Sequence, residues 1–252
     1  MARTELRVIP IPVAGEIKAG DVLLEKLLQS LTRNRLSLVE GDILVVKHKI
    51  VSKAEGRLVR LDTIRPSPQS RAWARRYKVD ARVSELAIRE SKSVIRRKNG
   101  VLITQTRHGF ICANSGVDVS NVDGGKNALL LPEDSDRSDA RLHREIRKHL
   151  KLAVPVIISD SFGRPWREGL TEVAIGIAGM KALHDHRGRR DPHGYKLRVS
   201  LDAVADELAC AAGLLSGKLT RIPFVIIRGF RYQSGRGSSR DLLRPAAHDL
   251  FR

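Results

Sequence analysis

Cysteines, aromatic residues and long apolar runs are all scarce in this chain. Only two cysteines, Cys112 and Cys210, occur in 252 residues, too few for a disulfide framework or a complete zinc set. Both sit among apolar or small residues, which reads as buried free thiols in a reducing compartment. Aromatic residues make up 4%, so the core has to be aliphatic, and stacking platforms for single-stranded nucleic acid are few. No apolar run approaches the roughly 20 residues a spanning helix needs. The opening Met1-Ala2-Arg3-Thr4-Glu5 has no apolar stretch of the signal-peptide kind. A cytoplasmic protein without a membrane partner is the expectation.

Familiar motifs are missing as well. There is no Gly-x-x-x-x-Gly-Lys-Ser/Thr phosphate loop, no Gly-x-Ser-x-Gly nucleophile elbow, no His-Glu-x-x-His pair and no fixed-period repeat. These absences exclude P-loop nucleotide handling, hydrolases built on that elbow, zincin-type proteases and repeat architectures. Acidic residues are outnumbered: 46 Lys+Arg against 28 Asp+Glu leave a formal net charge of +18. Such a balance points to acidic partners, either nucleic acid, an anionic surface or small molecules bearing phosphate and carboxylate.

What is present suffices for a core. The hydrophobic fraction is 42%, ordinary for a globular chain. Leu6–Val13, broken by Pro10 and Pro12, reads as an edge strand. Asp21 is expected to cap a helix carrying Leu23, Leu24, Leu27, Leu28 and Leu31. Short strands are expected at Ile43–Val46, Val101–Thr106, Leu129–Leu131, Val154–Ser159, Glu172–Gly179, Lys196–Leu201 and Phe224–Ile227. Residues 66–98 read as Arg-rich helix, Ser138 as the cap of a helix bearing Leu142, Ile146 and Leu150, and Asp202–Ser216 as a small-residue helix. Beyond Gly229 the composition is that of a loose tail. Strands and helices do not alternate cleanly, which leaves α/β and α+β both open.

Three segments could carry chemistry. The loop over residues 107–127 is dense in Gly, Asn and Asp, with Asp118 a hard oxygen ligand and Asn121 an amide able to meet phosphate. A polar turn with Asx caps would look the same. Asp160-Ser161, at the end of a buried strand, could hold Mg²⁺ beside a phosphate, or cap a helix. His184, Asp185, His186 and His193 lie among Arg187, Arg189 and Arg190, whose charge opposes a cation, so a solvated basic loop is expected there.

Taken in order, several stretches resemble one family. They are Ser52-Lys53-Ala54-Glu55-Gly56, Arg107-His108-Gly109-Phe110, Asn114 to Val122, Leu130-Leu131-Pro132, Ile158 to Arg164, Ala174 to Gly179 and Val204-Ala205-Asp206-Glu207. Their types and order resemble the coenzyme F420-0:L-glutamate ligases, from about Val8 to Gly229. The resemblance implies an α+β fold of mixed sheets with packed helices, an intertwined homodimer, a catalytic domain over 1–230 and a basic, flexible tail over 231–252. It implies a ligase that joins L-glutamate to the carboxylate of coenzyme F420-0 through an acyl phosphate made from GTP, and then adds γ-linked glutamates. Mg²⁺ or Mn²⁺ and K⁺ are the implied cofactors. Asp118 and Asp160 match the carboxylates at a first metal and Ser161 a hydroxyl at a second. Lys53 and Asn121 match nucleotide contacts, as do Ala14, Gly15, Glu16, Ile17, His48, Lys49 and the stretch from Ser216, Gly217 and Lys218 to Ile222. Asp118, Asp160 and Lys53 are thus the implied catalytic set. Lys218 departs from the pattern, because an ammonium stands where relatives place a second-metal carboxylate. Two other functions compete with this one: γ-glutamylation of another acceptor, such as a folate-like compound, and nucleic-acid binding by a basic protein. The scarcity of aromatics argues against the latter.

Overall fold

The computed structural model describes residues 5–120 and 122–249. The strands are β1 (Arg7–Ile11), β2 (Ile43–Lys47), β3 (Leu58–Arg60), β4 (Ser91–Lys98), β5 (Val101–Thr106), β6 (Ile111–Ala113), β7 (Asn127–Leu129), β8 (Val156–Arg164), β9 (Arg167–Ala178), β10 (His184–Asp185), β11 (Leu201–Asp202) and β12 (Phe224–Arg228). The helices are α1 (Leu23–Arg33), α2 (His48–Ala54), α3 (Pro68–Tyr77), α4 (Ala81–Arg89), α5 (Ser135–Leu150) and α6 (Val204–Gly213). This mixture of separate sheets and helices is of the α+β kind.

The central sheet has the order β1-β12-β2-β8-β9. Only β2 and β8 run parallel; the other pairs are antiparallel. Its middle strands are continuous apolar runs because both faces are covered. Leu44, Val46, Val156, Ile158, Phe224 and Ile226 meet α1, α2 and α5 on one face. Ile43, Val45, Ile157, Ala174, Val225 and Ile227 meet α6 on the other. Helix α1 contributes Leu23, Leu24, Leu27 and Leu31, each worth roughly 1.5–3 kcal/mol of apolar burial. A second, smaller core of Leu61, Leu86, Ala87, Leu102, Val117, Ala128 and Leu130 lies under α4 and the lesser sheets β3-β7 and β4-β5-β6.

Several local expectations change. Asp21 does not cap α1: its carboxylate accepts the Lys18 N–H, and Val22 stands at the cap. Asp134, not Ser138, caps α5 by accepting the Arg137 N–H; Ser138 lies a turn later and donates to Glu55. Residues 91–98 are a strand because they pair with β5, and helix ends at Arg89. The strand expected to stop at Ser159 runs on to Arg164 in a hairpin with β9. The segment after residue 230 makes specific contacts. Ser238 Oγ and Ser239 N donate to Asp136 at 2.6 and 2.9 Å, and Leu242 and Leu243 pack against the two faces of the main core.

The β8–β9 register skips Ile175, so Ile158 faces Gly176 and Ser159 faces Ala174. Helix α5 crosses at this bulge. A Cβ on Gly176 would sit 2.6 Å from the Ser135 carbonyl oxygen, so the approach requires glycine. Asp136 accepts the Ile177 N–H at 3.0 Å and Asp139 the Ile158 N–H at 3.3 Å. Asp139 is fully buried, and its Oδ1 has no hydrogen-bond partner among the described residues. Burial, helped by the charge of Asp136, pushes this carboxyl well above its ordinary value of 3.8. The fold therefore retains a proton that the unfolded chain releases. The stabilisation is complete below the unfolded value and is lost as pH rises through the raised folded one. Asp139→Asn should flatten that decline by up to one proton, about 1.4 kcal/mol per pH unit. Urea unfolding from pH 4 upward would measure it, and an unchanged slope would mean Asp139 is ionised in the fold.

Candidate active site

Strand β2 ends where the Lys47 N–H donates to the Pro223 carbonyl at 2.8 Å, and the chain turns directly into α2. At this seam stand three consecutive basic residues, Lys47, His48 and Lys49. Each meets a carboxylate from a different part of the chain. Lys47 Nζ pairs with Glu172 of β9. His48 Nε2 lies 3.1 Å from Oδ1 of Asp160 on β8, off the line of a hydrogen bond. Lys49 Nζ lies 2.6 Å from Asp118 Oδ2. Lys47 is the last extended residue and the other two begin a helical turn, so their side chains diverge enough to reach all three.

Asp118 follows a loop pinned to the smaller core. Ser115, buried and at positive φ, is held by two hydrogen bonds: its N–H donates to Thr104 Oγ1 at 2.9 Å and its hydroxyl to the Ala87 carbonyl at 2.6 Å. Asp118 then exchanges backbone hydrogen bonds with Leu129, and its Oδ1 accepts the Ser120 N–H at 2.6 Å. Burial opposes ionisation of Asp118, but hydrogen bonds from Lys49 and Ser120 prevail and hold its pKa below the usual 3.8. Lys53, half-buried, stands one turn beyond Lys49 on the same side of α2.

On β8 successive residues face opposite ways. Asp160 lies on the side of α2, while Ser159 and Ser161 lie on the side of α6. Glu172, in register with Ser161, is buried there; it accepts Ser161 Oγ–H at 2.6 Å and Ser159 Oγ–H at 2.9 Å. Sequence reasoning missed Glu172 and Lys47. Each stands at the edge of an apolar run, Lys47 closing that of β2 and Glu172 opening that of β9, where a charge is unremarkable in sequence.

The remaining expected positions fall in two loops and one excluded residue. Ala14, Gly15 and Glu16 are exposed and Ile17 is buried. The preceding Val13 N–H donates to the Arg221 carbonyl at 3.3 Å, which joins this segment to the stretch Ser216–Ile222. That stretch, with Gly217 and Lys218 exposed, leads to Pro223 and hence to Lys47. Asn121 lies outside the described residues. Cys112 is buried and its thiol is pushed up to about 12; burial also raises Cys210, whose Sγ donates to the Glu172 carbonyl. Neither is a thiolate at neutral pH, so neither offers a nucleophile. His186 pairs with Asp202 at 2.9 Å and lies tilted against His184, 4.1 Å between ring centres.

Among the described residues, no three His, Cys, Asp or Glu side chains gather closely enough to enclose a metal. The donors available, Asp118, Asp160 and the Ser161 hydroxyl, are hard oxygens. Mg²⁺ and Mn²⁺ characteristically take one or two carboxylates and complete their shell with water and substrate phosphate. Asp118 already meets the Lys49 ammonium, and Asp160 faces the His48 ring. The residues therefore fit a hard divalent cation shared with a phosphate ligand.

A profile of the F420-0:gamma-glutamyl ligase family matches residues 13–229. The chain belongs to that family. The F420 ligases similar to it include one from Methanopyrus kandleri, 41% identical over 252 residues and covering 98% of each chain. A second, from Methanothermobacter thermautotrophicus, is 41% identical with 96% of each covered. A third, from Archaeoglobus fulgidus, is 38% identical, covering 98% of this chain and 97% of its own. All three bear the name coenzyme F420:L-glutamate ligase. A 98% share includes most of the residues after 229 that the family profile leaves out, so the tail packed on Asp136 has a counterpart in these F420 ligases. No helix of the described residues is long and apolar enough to cross a membrane.

Proposed function

We propose that this chain is a GTP-dependent ligase that forms an amide between L-glutamate and the carboxylate of coenzyme F420-0, and then extends it with γ-linked glutamates. The observation that carries the reading is the Lys47-His48-Lys49 seam, which gathers Glu172, Asp160 and Asp118 around one helix start in a chain of this family.

The chemistry explains the need for such a site. A carboxylate does not acylate an amine in water because oxide is a poor leaving group. Transfer of the GTP γ-phosphoryl group to a carboxylate oxygen breaks the bond to GDP and makes an acyl phosphate. The glutamate nitrogen then attacks the acyl carbon, phosphate leaves, and the nitrogen gives up a proton. The first step presses an anion against a polyanion. A divalent cation on Asp118 and Asp160, with a second at the Ser161 hydroxyl, would neutralise the phosphate charge. Lys49 and Lys53, on one side of α2, would hold phosphate oxygens, and the loops 14–17 and 216–222 would flank the nucleotide. Positioning and fixed charge account for most of such catalysis. GTP, F420-0 and glutamate are all anions, so the net charge of +18 serves their collection. The reading includes a homodimer, supported by Trp166 and Leu170 of the β8–β9 hairpin, 80% and 54% exposed.

The test combines the protein with GTP, Mn²⁺, K⁺, L-glutamate and F420-0 and follows products by mass spectrometry. One GDP should appear for each glutamyl residue gained by F420-0. Glutamylation of a folate-like acceptor, with F420-0 untouched, would replace the acceptor in this reading. Absence of nucleotide turnover with either acceptor would overturn it.

A further inference from the structure

We infer that Glu172 is a positioning residue that makes the Ser161 hydroxyl a cation ligand by accepting its hydrogen bond. The inference rests on the ligase reading above and deepens it.

A serine hydroxyl has one hydrogen and two lone pairs. Directed at a cation, the hydrogen repels; directed away, the lone pairs bind. In this structure the Ser161 hydrogen is committed to Glu172 Oε1 at 2.6 Å, which leaves the oxygen lone pairs for an incoming ligand. The same carboxylate takes Lys47 Nζ on Oε1 and the Ser159 hydroxyl on Oε2. Three donors on a side chain with 10% exposure fix its orientation. The end of α6 closes the site from behind: a Cβ on Gly213 would lie 2.5 Å from Glu172 Cγ, so glycine alone admits the carboxylate at this depth. Lys47 balances the charge of Glu172, so the carboxylate orients Ser161 rather than drawing a cation to itself. Carboxylates that orient a metal ligand in this way typically contribute tenfold to a hundredfold in metal affinity.

The test is a Mn²⁺ titration of the full chain with a non-hydrolysable GTP analogue, read by the electron paramagnetic resonance of free Mn²⁺, with circular dichroism of each variant. Glu172→Leu, which leaves the Ser161 hydroxyl without this acceptor, should weaken Mn²⁺ binding by about tenfold to a hundredfold. Ser161→Ala should cost a similar factor, and the double variant no more than either, because both remove one ligand. Ser159→Ala, which leaves the Ser161 hydrogen bond in place, should weaken binding least. If Glu172→Leu does not fold, Gly213→Ala provides the second route, since it displaces the carboxylate without removing a polar group and should weaken Mn²⁺ in the same direction. Binding by Glu172→Leu or Gly213→Ala equal to wild type, or losses from Glu172→Leu and Ser161→Ala that multiply, would overturn the inference while leaving the ligase reading intact. Failure of the wild type to bind Mn²⁺ would overturn the metal reading and this inference with it.

Discussion

Asp160→Asn is expected to lower the rate of GDP release and amide formation by on the order of 10³-fold, with the fold retained. The substitution keeps the shape of the side chain. An amide oxygen can still accept the Ser161 N–H that now reaches Oδ1 at 2.7 Å, so the turn of β8 survives. What disappears is the negative charge that the cation answers. Asp118→Asn should produce a comparable loss, but by a less selective route. Its amide nitrogen would face Lys49 Nζ, now 2.6 Å from Oδ2, and two donors in contact would disturb the 118–120 turn. Asp160 is therefore the cleaner probe. The measurement is single-turnover GDP release with thermal unfolding of the same preparation. Activity within about tenfold of wild type would be too large to reconcile with lost charge stabilisation at the phosphoryl group, and would remove Asp160 from the site.

The strands of the central sheet were legible because burial on both faces writes them as apolar runs; Ile43–Val46 and Phe224–Ile227 differ from their structural bounds by one residue. Ends were less legible. Asp134, Ser135, Asp136, Ser138 and Asp139 are all capable of capping, and only the packing of α5 across Gly176 selects Asp134. Residues 91–98 read as helix because their Arg and Lys spacing carries no period-2 signal; pairing with β5 overrides local preference there. Asp118 and Asp160 are ambiguous by residue type alone and were separated from ordinary turn formers by the order of motifs around them. Glu172 and Lys47 were invisible for a different reason. Their meaning lies in a cross-strand register with Ser161 and Ser159, which no local pattern encodes.

Asp42→Ala should destabilise the protein by about 3 kcal/mol, at the lower end of the range for breaking a buried ion pair. Asp42 is fully buried at the start of β2 and accepts Arg228 Nε at 2.7 Å, Arg228 Nη2 at 2.8 Å and the Val39 N–H at 2.9 Å. Removing it strands a guanidinium that retains the Ser37 carbonyl at 2.9 Å and 30% exposure, and that access to water sets the lower figure. For a chain of this size the expected fall in Tm is roughly 6–12 °C. The pair also sits at the far end of the strand that delivers Lys47, His48 and Lys49, and it holds Ile43 against Ile227. Two outcomes separate support of the fold from support of the site. If Asp42 acts through stability alone, kcat and Mn²⁺ affinity measured well below the new Tm should match wild type. If the register of β2 itself shifts, both should fall together, because Lys47, the His48 ring and Lys49 would leave Glu172, Asp160 and Asp118 in one movement. The four remaining residue pairs of β2 with β12, together with its parallel pairing to β8, oppose such a slip, and the first outcome is the expected one.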